Sequence, residues 1–154
     1  MAQEPADDAE ALRTKWHTGW DAAMGFRYVR VSRDEVVVEY DVQDVHKQPY
    51  GIVHGGVHCG VIEAVCSTGA AMDAMARGQS VVGLENSTSF VRAVRRGTIT
   101  VTATPVTRGR RTQVWQAVCR DDAGKTVATG RVRLLCLDPG TELAGETVRA
   151  TPGG

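Results

Sequence analysis

Two hydrophobic patterns dominate the chain. From Thr98 to Thr107 polar and apolar positions alternate, with Thr98, Thr100, Thr102 and Thr104 set between Ile99, Val101 and Ala103. A period of two predicts a strand with one wet face. Between Gly51 and Arg77 the pattern changes. Ala, Val, Met and Cys fall on every side of a helical wheel, which predicts a helix buried nearly all round. Pro49 and Gly51 turn the chain into this helix and Gly78 closes it. The segment is too short, and too often interrupted by polar residues, to cross a membrane.

The remaining elements follow from the same reading. Phe26–Ser32 and Glu35–Val42 are strands joined by a tight hairpin at Arg33-Asp34. Gln43–Tyr50 is polar and forms a loop. Val81–Val91, Arg111–Arg120 and Lys125–Leu137 are further strands, the last two joined by the turn Asp121–Gly124. Pro105 sets the end of the Thr98–Thr107 strand near an edge or a bulge. Ahead of these, Ala9–Met24 reads as a short helix, with Leu12, Trp16 and Trp20 as its apolar stripe and Gly25 as its end. The chain thus divides into an N-terminal segment at 1–25, a domain at 26–137 and a loose tail at 138–154, opened by Asp138-Pro139-Gly140. Short helix, two strands, long helix, four strands is an α+β order with an antiparallel sheet and one buried helix. A helix with no polar face needs cover on all sides. A curling sheet supplies much of it, and a second subunit can supply more.

Composition adds exclusions. A chain of 154 residues makes one domain with a good core. A formal net charge of zero removes any whole-chain argument for nucleic acid or membrane binding. Cys59, Cys66, Cys119 and Cys136 form no C-x-x-C pair and no zinc-like spacing. They read as buried, reduced thiols, which fits the cytoplasm. Glu4, Asp7, Asp8 and Glu10 make the start acidic, without the apolar run of a signal peptide.

Glu63 needs a role of its own. It is the one charge between His58 and Asp73, and a carboxylate in an apolar helix is costly unless it is paired or used. Its neighbours suggest the use. His54-Gly55-Gly56 opens the helix, Glu63 stands eight residues beyond Gly55, and Ser67 follows one turn later. Gln48 precedes the helix, and Ser89–Ala93 (SFVRA) and Gly109–Thr112 (GRRT) come farther on. Over roughly Phe26–Leu137 this set resembles the hotdog-fold acyl-CoA thioesterases, within them the phenylacetyl-CoA and 4-hydroxybenzoyl-CoA branch that carries Glu on the helix. The resemblance implies a sheet wrapped around one long helix and hydrolysis of an acyl-CoA without metal or redox cofactor. It implies Glu63, Gly55, Gln48, His54 and Ser67 as the catalytic set. Gly56, Phe90, Arg92, Gly109, Arg110 and Arg111 would contact substrate or CoA. It also implies a homodimer as the active unit, commonly paired again into a homotetramer.

The residues can do this chemistry. Gly55 and Gly56 at a helix N-terminus offer N–H groups without intrahelical partners, where the helix dipole favours negative charge. Gln48 can polarise the same carbonyl oxygen; such donors contribute ~2.7–4 kcal/mol each in acyl transfer. Glu63 would activate water or attack directly to give an anhydride, and apolar burial would raise its pKa. Ser67 shares its face at i+4. Gly55 and Glu63 are eight residues apart, about 12 Å along one helix. They cannot both reach one carbonyl from the same chain, so the site combines Gly55 of one subunit with Glu63 of another.

Charge is unevenly placed. No Asp or Glu occurs from Asn86 to Arg120, a stretch holding Arg92, Arg95, Arg96, Arg108, Arg110, Arg111 and Arg120. Arginine suits the phosphates of CoA by its fork geometry, with Arg92, Arg110 and Arg111 preferred. Most of the seven can equally be solvated strand ends, and no aromatic residues interleave with them as nucleic acid would need. Other plain readings stand beside the functional ones. His54 is better read as structural, orienting Gly55, than as a proton carrier. Ser67 can be a small packing residue. Trp115 belongs in a core or interface. His54 and His58 have metal-like spacing but no third ligand. A non-catalytic acyl-CoA-binding module and an enoyl-CoA hydratase on the same fold are the alternatives.

Overall fold

The computed structural model describes residues 16–149. In chain order the elements are helix α1 (Gly19–Ala23), strands β1 (Arg27–Val31) and β2 (Val36–Asp41), a 3-10 turn at Asp44–His46, and helix α2 (Gly55–Met75). Strands β3 (Ser80–Phe90), β4 (Thr98–Arg108), β5 (Thr112–Arg120) and β6 (Thr126–Leu137) follow. The strands lie in the order β1-β2-β4-β5-β6-β3, each antiparallel to its neighbour. The sheet wraps α2, as the resemblance implies.

Period two holds in β4. Ile99, Val101 and Ala103 are buried, and Thr98, Thr100, Thr102 and Thr104 are half-exposed. Pro105 is not on an edge strand, because β4 lies between β2 and β5. It sits at a register shift against β5 and past Ala103, the last residue that β2 pairs. A residue without an N–H is tolerated there because no ladder partner awaits it on the β2 side.

Helix α2 begins at Gly55, not Gly51; Gly51 sits in a turn at φ +74°. Val57, Val61, Ile62 and Val65 pack with Val38, Tyr40, Val101 and Leu134 in the core. Burial is not complete all round. Gly56 is exposed, and Cys59, Gly60, Glu63, Ala64 and Ser67 are half-buried. At this spacing they form one stripe. The sheet ends at β3, so among the described residues no further strand continues over that stripe, and Trp20 packs on its Gly60.

A second carboxylate on α2, Asp73, is buried at 2% exposure. Arg33 and Arg77 pair with it at 2.9 and 3.0 Å, and Gln113 Nε2 donates to it at 3.3 Å. Trp115, fully buried against Gly69, donates to Gln113 Oε1 at 2.8 Å. This satisfied network explains both the charge and the core tryptophan.

The ends differ from the sequence reading. Among the described residues α1 has five residues, because Thr18 before it is extended. Trp16 lies ahead of that helix, and Leu12 falls outside the described residues. Trp20 packs over Gly60 of α2 and edge-on against Phe26 at 5.3 Å. Gly25 ends the helix at φ +68°, as expected. In the segment read as a tail, β7 (Glu142–Leu143) and β8 (Glu146–Thr147) form a two-stranded ribbon. Among the described residues no helix is long and apolar enough to cross a membrane. All four cysteines are free, and burial pushes the Cys119 thiol up to about 12 and the Cys66 thiol higher still. Such thiols stay protonated and inert.

Candidate active site

The loop before α2 is held by its own polar groups. Gly51 N–H donates to Gln48 O at 2.8 Å, and Gln48 N–H donates to Ile52 O at 2.9 Å. Tyr50 N–H donates to Gln48 Oε1. The amide carbonyl of Gln48 is thereby anchored, and its NH₂ has no partner among the described residues. Gln48 lines a cavity of about 790 Å³ together with His54, Gly55, Gly56, Phe90 and Arg92.

His54 caps the helix. Its Nδ1 accepts from Gly56 N–H at 2.7 Å, so Nε2 carries the ring proton. Its own N–H donates to His46 O at 2.8 Å. The cap is a structural role for His54. It corrects the expectation of two free glycine donors: Gly56 is taken by His54 and Val57 by His54 O at 2.9 Å. Gly55 N–H keeps no acceptor among the described residues. Phe90 closes over it; a Cβ at position 55 would lie 2.7 Å from Phe90 Cζ. A side chain at position 55 would require the exposed Phe90 ring to shift.

Strand β3 runs opposite to α2. Phe90 meets Gly55, Asn86 meets Cys59, and Gly83 meets Glu63. Glu63 is half-buried rather than surrounded by apolar side chains. Ser67 Oγ donates to its Oε1 at 3.1 Å, and Asn86 Nδ2 donates to its Oε2 at 3.1 Å. A Cβ at Gly83 would collide with Oε1. Ionised carboxylate oxygens offer about four lone-pair sites, so capacity remains for water. Glu63 lies about two helical turns from Gly55 and does not line the cavity.

Comparisons with known proteins give the family. Residues 50–139 match the Thioesterase superfamily. The chain belongs to that superfamily. The solved structure of Rv1847/MT1895 from Mycobacterium tuberculosis superposes with a TM-score of 0.76 at 39% identity, covering 77% of this chain and 96% of that one. The proofreading thioesterase EntH of Cronobacter sakazakii is 32% identical over 114 residues, 74% of this chain and 82% of EntH. The 1,4-dihydroxy-2-naphthoyl-CoA hydrolase of Listeria monocytogenes is 31% identical over 113 residues, 73% of this chain and 91% of its own. The protein is a thioester hydrolase with the hotdog fold.

The thioesterase sorts its arginines by partner. Arg95 donates to Tyr50 O at 2.6 Å, Arg108 to Asp34 and Arg33 O at 2.7 Å, and Arg120 to Gly124 O and Thr126. The guanidinium groups of Arg92, Arg96, Arg110 and Arg111 have no partner among the described residues. One chain does not gather them. Arg92 lies at the Gly55 cavity, whereas Arg110 and Arg111 line a separate polar cavity of about 340 Å³ with Gln79, Cys136 and Asp138. The two sites lie at opposite ends of β3, roughly 30 Å apart at strand rise. Gly109 serves the turn between β4 and β5, its N–H donating to Thr112 O at 2.9 Å.

Two site residues carry no motif in the sequence. Asn86 is one; its sole sequence signal is a polar amide spaced by two from Thr88 and by four from Phe90, hence on the same strand face. His58 is the other. It is 3% exposed, lines the Gly55 cavity, stacks obliquely on Phe90 at 6.2 Å, and its buried Nδ1 has no partner among the described residues. Burial lowers its pKa from the ordinary 6.5, so the ring is neutral at pH 7. Unfolding then takes up a proton below pH 6.5. The stability this neutral ring allows is complete above that pH and is lost as pH falls through the window beneath it. Wild-type melting temperature should therefore drop on going from pH 7 to pH 5.5 more steeply than that of His58→Gln, as followed by thermal melts in matched buffers.

Proposed function

We propose that this thioesterase hydrolyses an acyl-CoA to free acid and CoA at a site shared between two subunits. The observation that carries the reading is the Gly55 N–H, which has no acceptor among the described residues and lies on a residue that lines, together with Gln48, the cavity of about 790 Å³. An oxyanion formed from a thioester carbonyl is what such paired donors suit. Glu63 is the base. It takes a proton from water, the water oxygen bonds to the carbonyl carbon, and the oxyanion rests on Gly55 and Gln48. The intermediate then expels CoA thiolate, which Glu63 reprotonates. Direct attack by Glu63 through an anhydride is the other route to the same products.

The two halves are supplied by different chains. Strand β3 is a sheet edge with Leu84 and Phe90 exposed, and an edge of eleven residues unpaired among the described residues invites a partner strand. Two β3 edges pairing antiparallel about a two-fold near their middle lay the Gly55 and Phe90 end of one chain beside the Glu63 and Gly83 end of the other. The same operation brings Arg110 and Arg111 of one chain toward Arg92 of its neighbour, which supports a divided CoA site. It also covers the half-buried stripe of α2. A further pairing of dimers makes the homotetramer of the phenylacetyl-CoA and 4-hydroxybenzoyl-CoA branch.

Tyr50, Ile52, Val53 and Phe90 give the cavity an apolar lining that suits an aryl or fatty acyl group. The Listeria relative, a 1,4-dihydroxy-2-naphthoyl-CoA hydrolase, supports the aryl class. The test is CoA release from a panel of aryl, fatty and enoyl acyl-CoAs. Hydrolysis of a saturated or aryl thioester is expected. Tight binding without CoA release would make the protein a binding module, and hydration of enoyl substrates would make it a hydratase.

A further inference from the structure

We infer that Asn86 is a positioning residue for Glu63, with Thr88 fixing its orientation. The inference rests on the reading of Glu63 as the base. Asn86 Nδ2 donates to Glu63 Oε2 at 3.1 Å and to Cys59 O at 3.0 Å, and Thr88 Oγ donates to Asn86 Oδ1 at 2.7 Å. The amide orientation is fixed by its partners: two acceptors face one end, which must be the NH₂, and a hydroxyl donor serves the other. Both N–H bonds of the amide are used, so Asn86 cannot swing to the substrate without releasing Glu63.

The consequence is a carboxylate held at both oxygens. Ser67 sits on α2 one turn from Glu63, so it moves with the helix. Asn86 reaches from β3, the edge strand, and ties the base to the sheet. Ser67 alone leaves the carboxylate free to rotate about its last torsion; the second donor fixes the plane in which the remaining lone pairs meet water. Cys66, three residues along the same helix, has its thiol raised chiefly by burial and then by the Glu63 charge. It stays neutral and does not compete.

The experiment compares Asn86→Ala, Asn86→Asp and Thr88→Val with wild type in CoA release across pH 5–9. Asn86→Ala should lose about tenfold in kcat with little change in KM, the scale of one hydrogen bond to a charged group. Asn86→Asp keeps the shape but sets a second carboxylate beside Glu63, so the acid limb of its pH–kcat profile should move upward by about one pH unit or more. Thr88→Val should shift kcat in the same direction by a smaller factor. In a Glu63→Gln background, Asn86→Ala should cost nothing further in kcat. If Asn86→Asp leaves the acid limb in place, or if Asn86→Ala costs the same in both backgrounds, Asn86 merely fastens β3 to α2 and the inference falls. If Glu63→Gln itself keeps full activity, the reading of the base fails instead. Because Asn86→Asp is isosteric, a poorly folding Asn86→Ala leaves the pH test intact.

Discussion

Glu63→Gln should lower kcat for the best acyl-CoA by at least ~100-fold, the low end of what a general base contributes, while KM changes little. Glutamine keeps the size of the side chain and can still bond to Ser67 and Asn86, which hold the carboxylate at 3.1 Å on either side. It cannot take a proton from water, nor form an anhydride. The loss therefore falls on the chemical step and not on substrate binding, and steady-state CoA release with a direct binding assay separates the two. A variant that binds substrate with wild-type affinity and turns it over at the wild-type rate would remove Glu63 from the mechanism.

Gly55→Ala should be nearly as damaging for a different reason. The added Cβ lies 2.7 Å from Phe90 Cζ, so the ring must move or the helix start must shift. Moving the ring alters the cavity wall that Phe90 forms beside the acyl group, whereas a shift of the helix start displaces the N–H itself, and a misplacement of about 1 Å can cost ~100-fold. The two variants together test the shared site. Each alone is inactive. Co-expressed, they form mixed dimers in which one of the two sites has both an intact Gly55 and an intact Glu63. Random mixing of a two-fold dimer makes half the dimers mixed, so roughly a quarter of wild-type activity should return. If each chain held a whole site, no recovery would appear.

Much of this molecule was legible from periodicity. The strand over Thr98–Thr107 and the long helix were readable because side-chain burial repeats at two and at 3.6 positions, and repetition survives without knowledge of partners. The hairpins at Arg33-Asp34 and Asp121–Gly124 were readable because turn residues carry local constraints. Strand order was not. Sequence places β3 directly after the helix, yet β3 pairs with β6 across the sheet, a contact between residues more than 37 positions apart. Local chemistry does not encode which edges meet.

The site divides in the same way. Gln48, His54, Gly55, Glu63 and Ser67 were named by the family resemblance, and the helix N-terminus at Gly55 and the i,i+4 pair Glu63–Ser67 among them are local geometry that the sequence carries. Three things could not be read there. His54 consumes the Gly56 N–H and leaves Gly55 alone, which depends on a rotamer. Asn86 reaches Glu63 from a strand 23 positions away, and nothing in its neighbours marks it. Arg92 and the Arg110-Arg111 pair look like one cluster along the chain but lie at opposite ends of β3. The sequence by itself determined which groups are present and which of them share a helix face, because backbone geometry sets those distances. Tertiary structure alone decided which donors stay free and which charges meet, because strands distant in sequence are brought together by burying the apolar faces they share with one helix.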